Sequence, residues 1–226
     1  MVEGSRIAKE IPQEALCECF VSEEYADDRA LSDIFSYDVT PTTVSSSVFR
    51  KMSDTQNPQG IICVCKQSQI LEDDFLSLHD NGLKLLLLEK IQDPGNLGTM
   101  IRTAEGAGFD AVIADNDTVD VYNPKVTRST MGSVFRVPVI YTSDLAEFID
   151  KLQKSSVKVY AAHLEGSVDY RDERYGDRIA FIIGNEGAGL SGQICAKADK
   201  LIRIPMRGKL ESLNAAVAAA VLMYAV

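Results

Sequence analysis

The sequence predicts an α/β protein in which a parallel sheet is covered by helices on both faces and is preceded by a smaller α/β unit. Three observations predict this fold class. From residue 84 onward, short apolar runs are continuous rather than alternating, which is typical of strands buried on both faces. Segments with a helical pattern separate these runs, as in βαβ units. Several runs end in turns rich in glycine, asparagine and proline.

Each element of the main sheet follows from this pattern. The predicted strands lie at residues 84–88, 111–114, 137–140, 157–161, 179–183 and 201–204, and the predicted helices at 97–107, 124–129, 144–153, 191–196 and 213–226. The last helix contains six alanines and follows Ser212, a good residue type for a helix N-cap. Its small side chains allow neighbouring elements to approach closely on more than one face.

The region before residue 84 predicts a small α/β domain over residues 1–67. Apolar runs at 17–22, 39–44 and 60–64 are its candidate strands, and a helix is expected to begin at the serines 45–47. Residues 68–83 are polar and acidic and contain the turn signal Asn81-Gly82, so they predict a linker with a short helix. The main domain then covers residues 84–226.

The formal net charge of −10 excludes a protein that coats nucleic acid indiscriminately, because such binding depends on neutralising phosphates. It leaves room for a local basic patch. Lys125, Arg128 and Arg136 lie close together in the sequence, whereas the acidic residues concentrate elsewhere. On charge alone, scattered cations on a solvated surface remain the simpler interpretation.

No run of eighteen apolar residues and no signal peptide occurs, which predicts a cytoplasmic protein without a membrane span. The odd number of cysteines, five, suits a reducing compartment. The pairs Cys17/Cys19 and Cys63/Cys65 sit inside apolar runs, where they share one face of a strand, so we expect no metal site there. His79 and His163 have no spacing typical of a triad or metal site and are expected to be structural.

Three short segments each follow a predicted strand: residues 96–102, residues 184–187, and residues 204–206 together with 212–214. Because parallel strands end at the same edge of a sheet, we expect the segments to converge there, where ligands of open α/β folds bind. Asn96 can cap the helix that follows, and Arg102 would present a fixed cation on the face turned to the site.

The second and third segments indicate what such a site could bind. The glycines of residues 184–189 allow a ligand to approach the backbone, but their spacing matches neither the dinucleotide fingerprint nor the phosphate loop. Ordinary NAD or ATP binding is therefore disfavoured. Ile204, Met206 and Leu213 would line an apolar pocket with convergent backbone groups, suited to an adenine-bearing cofactor. In isolation, each segment also fits a plain turn between a strand and a helix.

In this order, the three segments resemble the signature motifs of the SpoU (TrmH-like) RNA 2′-O-ribose methyltransferases of the SPOUT class. The stretch from Tyr122 to Pro138 resembles the middle region of that family, so the resemblance runs from Leu85 to the end of the chain. The first part resembles the L30e-like RNA-binding domain that often precedes the catalytic domain, and it ends in Pro58-Gln59-Gly60-Ile61. It begins almost at Glu3-Gly4, where relatives usually have an additional segment, so we expect either a trimmed domain or a sequence that starts late.

The resemblance implies a C-terminal trefoil knot that binds S-adenosylmethionine, a structured RNA substrate (rRNA or tRNA), and a homodimer formed through the knot region by the first and last helices. It requires no metal. The implied cofactor contacts are Leu164, Gly184, Glu186, Ile204, Met206 and Leu213. The implied catalytic residues are Asn96, Arg102, Glu186, Ser212 and Asn214, and the candidate RNA contacts are Lys125, Arg128 and Arg136.

The family account makes the equivalent of Arg102 a general base, but a guanidinium does not deprotonate readily at neutral pH. We expect Arg102 to position an RNA phosphate and to stabilise the developing 2′-alkoxide, while a neighbour or water takes the proton.

Two other classes of function stay open at this point. The chain could be an RNA-binding module that kept the fold and lost turnover, or a sheet enzyme for another nucleotide cofactor.

Overall fold

The computed structural model describes residues 1–26, 39–68, 75, 82–165 and 168–226. Within these ranges the chain forms a four-stranded sheet followed by a seven-stranded sheet. The linker predicted at residues 68–83 lies largely outside the described residues, and His79 lies outside them as well.

The N-terminal unit is a small α/β arrangement, as predicted. Its elements are β1 (Val2–Glu3), α1 (Ser5–Ala8), β2 (Leu16–Ser22), β3 (Thr42–Val44), α2 (Ser46–Met52) and β4 (Ile61–Cys65). The strand order is β1-β4-β2-β3, with β4 antiparallel to both of its neighbours and β3 parallel to β2. The strand predicted at 39–44 is confined to its last three residues.

The main sheet contains only parallel pairs among its described strands. Its elements are β5 (Leu83–Leu88), α3 (Pro94–Gly106), β6 (Ala111–Asp115), α4 (Pro124–Thr130), β7 (Val139–Thr142), α5 (Leu145–Lys154), β8 (Lys158–Ala162), β9 (Val168–Asp169), β10 (Arg178–Ile183), α6 (Gly192–Lys197), β11 (Lys200–Arg203) and α7 (Ala215–Met223). The strand order β7-β6-β5-β10-β8-β11-β9 places β10 directly beside β5, although about ninety residues separate them in the chain.

Both faces of the main sheet are covered, as the continuous apolar runs predicted. Along β5, Leu86 and Leu88 belong to one buried cluster together with residues of α3 and α7. Leu85 and Leu87 belong to a second cluster, which contains residues of α5 and α6. Side chains of a strand point alternately to its two faces, so a strand between two helical layers must be apolar at every position.

Three elements of the main domain begin two or three residues from their predicted starts, each for a local reason. The strand predicted at 137–140 lies two residues later, because a short 3₁₀ turn at Ser133–Phe135 occupies the preceding chain. Helix α3 begins at Pro94 rather than at residue 97, because Asp93 caps it by accepting a hydrogen bond from the Asn96 backbone N–H at 2.8 Å. Helix α7 begins at Ala215, capped by Asn214 and not by Ser212.

Helices α3 and α4 pack so closely that a side chain is excluded between them. A Cβ atom placed on Gly98 of α3 would lie 2.4 Å from the Ser129 Cβ atom and 2.9 Å from the Val126 carbonyl oxygen. Glycine at this position therefore sets the distance between the two helices, and with it the place of α4 beside the start of α3.

We predict that Gly98→Ala destabilises the protein by about 1–3 kcal/mol, the usual range for overpacking a close contact. Alanine ordinarily stabilises a helix relative to glycine. A decrease in the free energy of unfolding would therefore show that the added methyl group clashes with α4. Urea unfolding followed by circular dichroism measures it. Gly192→Ala in helix α6 is the control, because nothing lies within 4 Å of its added Cβ atom. A Gly98→Ala protein as stable as the wild type would contradict this account of the packing.

Candidate active site

The three segments converge at the carboxyl edge of the main sheet, as predicted. They follow β5, β10 and β11, which all run in the same direction. Side-chain hydrogen bonds join them directly: the Asn96 amide nitrogen donates to Glu186 Oε1 at 3.0 Å, and the Asn214 amide nitrogen donates to Asn96 Oδ1 at 2.9 Å. These two bonds connect residues 90 and 118 positions apart, so only the fold brings them together.

Glu186 is the centre of this network. Its Oε1 also accepts from the Asp93 backbone N–H at 3.1 Å, and its Oε2 accepts from the Gln92 backbone N–H at 3.2 Å. Burial raises the pKa of Glu186, but the hydrogen bonds from Asn96 and the backbone outweigh it, so the pKa lies below its ordinary value. The carboxylate is therefore ionised at neutral pH and joins the loop after β10 to the loop after β5.

Asn96 was predicted to cap α3, but of the two asparagines only Asn214 caps a helix. Asn96 lies in the first turn of α3 and does not cap it, since Asp93 does. Its side chain is thus available to bridge Glu186 and Asn214. Asn214 caps α7 with Oδ1, which accepts from the backbone N–H groups of Ala216 at 2.9 Å and Val217 at 3.2 Å. The same side chain fixes the start of the last helix and reaches the first segment.

The loop after β10 keeps its shape through its own close contacts. A Cβ atom on Gly184 would lie 2.4 Å from the Gly189 carbonyl carbon, so the two ends of the loop approach too closely for any other residue. Asn185 Oδ1 accepts from the backbone N–H groups of Gly187 and Ala188, each at 2.9 Å. The Asn185 amide nitrogen donates to the Lys90 carbonyl at 2.8 Å, a second link to the loop after β5.

A cavity of about 500 Å³ opens beside this network, within the size range of small-molecule sites. It contains all six residues implied as cofactor contacts and also Ser212. Its described lining is residues 162–165, 183–190, Ile202, Ile204, Met206, Ser212, Leu213, Ala215 and Ala218. Ile183, Ile202 and Ala215 are buried at its floor, whereas Leu164 at its mouth is 64% exposed. The apolar floor suits an aromatic ring system, and the loop backbone offers polar groups around it.

Sequence reasoning missed two polar residues of this cavity. His163, expected to be structural, lines it, and its Nδ1 accepts from the Glu165 backbone N–H at 3.2 Å. Glu165 and Glu186 are both lining residues, so negative charge lies close to the cavity and favours a ligand with positive charge. No spacing pattern in the sequence marks residues 163–165. They reach the site because they follow β8, which lies between β10 and β11 in the sheet.

Arg102 lies farther along helix α3, about 9 Å along the axis from Asn96 at 1.5 Å per residue. It is exposed and does not belong to the described cavity wall. No ion pair or hydrogen bond involves its guanidinium among the described residues. The charge is therefore available to an external anion.

The three candidate RNA contacts fall into two groups. Lys125 is exposed and Arg128 half-buried, both on α4, and neither pairs with a carboxylate among the residues described. Arg136 instead donates from Nη1 to Glu10 at 2.6 Å and from Nη2 to Glu105 at 3.1 Å. Its charge is already neutralised by one carboxylate from the N-terminal unit and one from α3 of the main domain. Arg136 therefore helps to join these two parts of the chain. RNA binding by Arg136 stays a prediction.

The described ranges hold no group of three or more His, Cys, Asp or Glu side chains placed to bind a metal ion. Cys19 and Cys63 lie opposite each other on β2 and β4 and are buried in the N-terminal core, with their sulfur atoms 3.9 Å apart. None of the described helices has the length and apolar character needed to cross a bilayer.

Comparison with known proteins identifies relatives of both parts of the chain. The family model described as "SpoU rRNA Methylase family" matches residues 84–224, and the one described as "RNA 2'-O ribose methyltransferase substrate binding" matches residues 8–71. A Bacillus subtilis protein named 23S rRNA (guanosine(2553)-2'-O)-methyltransferase RlmP is 40% identical over 181 residues, which is 80% of this chain and 70% of that protein.

A Staphylococcus aureus (strain COL) protein named putative TrmH family tRNA/rRNA methyltransferase is 38% identical over 64% of this chain. The chain spans 58% of its length. Among solved structures, an AdoMet-bound rRNA methyltransferase from Sinorhizobium meliloti superposes with a TM-score of 0.81 at 29% identity, covering 99% of this chain and 85% of that one. The SpoU methyltransferase AviRb from Streptomyces viridochromogenes, at 24% identity and a TM-score of 0.85, shows the same fold.

We predict that Glu186 stabilises the folded protein at neutral pH and loses this effect in acid. Its folded pKa lies below the ordinary 4.5, so its contribution is present above that pH and is lost as the pH falls through the folded pKa. The free energy of unfolding of wild type should exceed that of Glu186→Gln at pH 7, and the difference should shrink on acidification. Glu211→Gln, at an exposed position, is the control. A difference independent of pH would contradict the role given to the carboxylate.

Proposed function

Because the chain belongs to the SpoU rRNA methylase family, we propose that it transfers a methyl group from S-adenosylmethionine to a ribose 2′-OH of ribosomal or transfer RNA. The observation that carries this proposal is the hydrogen-bonded set Asn96, Glu186 and Asn214 beside a cavity of about 500 Å³. The names of the relatives support an RNA substrate, and the name of the Bacillus relative specifies 23S rRNA and a 2′-oxygen.

The residues of the cavity fit this cofactor. S-adenosylmethionine carries an adenine ring, a sulfonium and an ammonium group, so it needs an apolar slot near negative charge. Ile202, Ile204 and Leu213 supply apolar surface, and Glu165 and Glu186 supply carboxylates in the same wall. When bound, the cofactor supplies a methyl group already activated for transfer. The AdoMet-bound structure of the Sinorhizobium relative supports this assignment.

The main contribution of the protein is to hold the reacting oxygen in line, since orientation alone supplies much of the acceleration of such a transfer. Glu186 orders the loops on either side of the cavity, and three donors occupy its oxygens, so it is a poor proton acceptor. Asn96 contacts Glu186, Asn214 contacts Asn96, and Ser212 lines the same cavity, so these three residues offer polar contacts for the ribose. Arg102 positions an RNA phosphate and stabilises the developing alkoxide; a neighbour or water takes the proton.

RNA reaches the site over α4, where Lys125 and Arg128 provide cations without carboxylate partners among the described residues. These residues lie three positions apart on the helix and so share one face. A module that binds RNA without turnover is the weaker alternative, because the residues of all three segments are present and connected. The chain therefore combines a narrow basic surface with an overall acidic character.

We also propose the division into a substrate-binding domain at 1–67, a linker at 68–83 and a catalytic domain at 84–226, which the two family matches support. The trefoil knot and a cytoplasmic location stay predictions.

A homodimer through α3 and α7 is supported by an apolar surface: Val217 is 48% and Tyr224 66% exposed, and half-buried Val221 lies between them on α7. Residues at this spacing share one helix face, and apolar exposure of this kind marks interfaces.

We predict that Arg102→Ala lowers the rate of RNA methylation by about a hundredfold or more, the usual effect of removing a charge aimed at the reacting group. Binding of S-adenosylhomocysteine, measured by calorimetry, should be unchanged because Arg102 does not line the cavity. Transfer of labelled methyl groups to 23S rRNA and tRNA transcripts provides the rate. Arg174→Ala, which removes an exposed arginine elsewhere, is the control. Equal rates for wild type and Arg102→Ala would refute the role of this residue.

We predict that Val217→Asp converts a dimer to a monomer, because a carboxylate would be buried without a partner at the interface. Sedimentation velocity at micromolar concentration measures the change. Val48→Asp is a matched control, since Val48 is 45% exposed on helix α2 of the N-terminal unit. A wild-type protein that is monomeric at these concentrations would exclude the dimer, and a dimeric Val217→Asp variant would place the interface elsewhere.

A further inference from the structure

A groove of about 230 Å³ separates the N-terminal unit from helix α4. The N-terminal unit contributes Arg6 and Gln59 to its walls, and the catalytic part contributes Arg128 and Met131. The remaining described lining is Glu3, Gly4, Ile7, Thr55 and Asn57. The groove is separate from the cofactor cavity, with which it shares no lining residue.

The groove is positively charged and rich in hydrogen-bond donors. Arg6 and Arg128 have no carboxylate partner within the described part of the chain. The one carboxylate in the wall, Glu3, is buried and already accepts hydrogen bonds from the Ser53 and Thr55 hydroxyls, both at 2.5 Å, and from the Asp54 backbone N–H at 3.0 Å. The lining therefore includes two arginines and one glutamate, and the carboxylate of that glutamate already accepts hydrogen bonds within the N-terminal unit.

The amide of Gln59 is oriented by its neighbours. Its Oε1 accepts from the Ser5 backbone N–H at 3.1 Å, so the oxygen must be the atom placed there. The amide nitrogen is then a donor without a partner among the described residues. Asn57, also exposed, adds a second amide to the wall, and Met131, 39% exposed, adds apolar surface. Amides pair with base edges, and apolar side chains contact base faces.

The two parts of the chain hold the groove in a fixed shape. Arg136 joins Glu10 of the N-terminal unit to Glu105 of α3. Phe135 of the catalytic part packs against the N-terminal core. The Gly132 backbone also packs closely on the Glu10 side chain, since a Cβ atom on Gly132 would lie 2.6 Å from the Glu10 Cβ atom. The groove therefore forms without a ligand and does not require the two units to rearrange.

We propose that this groove binds an unpaired nucleotide of the RNA substrate, with its phosphate on Arg6 and Arg128 and its base edge on Gln59 and Asn57. This rests on the proposed function and extends it by a second contact away from the methylated ribose. The volume suits about one nucleotide, and a duplex does not expose its base edges to side chains in this way. Arg128 shares a face of α4 with Lys125, and α4 packs against the start of α3 at Gly98, so one helix connects the groove with the neighbourhood of the site.

The experiment compares full-length wild type with Arg6→Gln and Arg128→Gln. Arg174→Gln is the matched control, because Arg174 does not line the groove. It follows Glu173, which pairs with Lys158 and Lys200 at the amino ends of β8 and β11. The probes are a fluorescein-labelled 20-nucleotide single-stranded RNA of mixed sequence and the same strand annealed to its complement. Fluorescence anisotropy at several salt concentrations yields the affinity and its salt dependence. Calorimetry with S-adenosylhomocysteine reports the cofactor cavity separately.

We expect each groove variant to weaken single-strand binding about fivefold to tenfold and to reduce the slope of log affinity against log salt by about 0.7, the contribution of one phosphate contact. Arg174→Gln should match wild type, and Arg6→Lys should lie between wild type and Arg6→Gln, because lysine keeps the charge and loses the planar fork. Gln59→Ala should weaken binding without changing the slope.

Two results would overturn the proposal: groove variants that bind the single strand like Arg174→Gln, or an equal loss of affinity for the duplex. Neither depends on methyl transfer. If wild type binds no S-adenosylhomocysteine and methylates no RNA, the proposed function fails, and the anisotropy comparison still decides whether the groove contacts RNA. Unchanged cofactor binding in the groove variants shows that any loss of RNA affinity is local.

Discussion

The carboxylate of Glu186 is the interaction on which the arrangement of the site depends. It accepts hydrogen bonds from two backbone N–H groups and one amide of the loop after β5, although Glu186 itself follows β10. Asn96 extends the connection to Asn214 at the start of the last helix. A single ionised side chain thus sets the relative positions of three loops. Hydrogen bonds to a charged acceptor are stronger than neutral ones, which suits this role.

The charge distribution explains how an acidic protein can act on RNA. The net charge of −10 repels nucleic acid from most of the surface, and long-range attraction would be weak at physiological salt. Arg6, Arg102, Lys125 and Arg128 form no ion pair among the described residues, whereas cations elsewhere, such as Lys197 and Lys200, pair with carboxylates. These four cations lie on the elements that surround the groove and on α3. They give an acidic protein a local basic surface, which favours a defined approach over indiscriminate binding.

The contact between the two parts of the chain gives the N-terminal unit a function beyond tethering. Arg136 pairs with a carboxylate from each side, and Phe135 packs into the N-terminal core. An interface that combines ion pairs with apolar packing restrains domain motion more than a flexible linker alone. The N-terminal unit can then present its side chains at a fixed distance from the proposed catalytic residues, as a substrate with a defined spacing requires.

The sequence by itself determined the fold class, the succession along the chain of the main helices and of six of the seven described strands of the main sheet, and the three segments that converge at its edge. Continuous apolar runs and strand-end turns are local properties, and the segment residues match a family pattern. Tertiary structure decided which asparagine caps which helix, since capping depends on where the backbone turns. It also decided that His163 and Glu165 reach the cavity, that Arg136 is neutralised, and that Arg6 and Arg128 share a groove. These are contacts between residues far apart in the chain, and no local pattern encodes the strand order that brings them together.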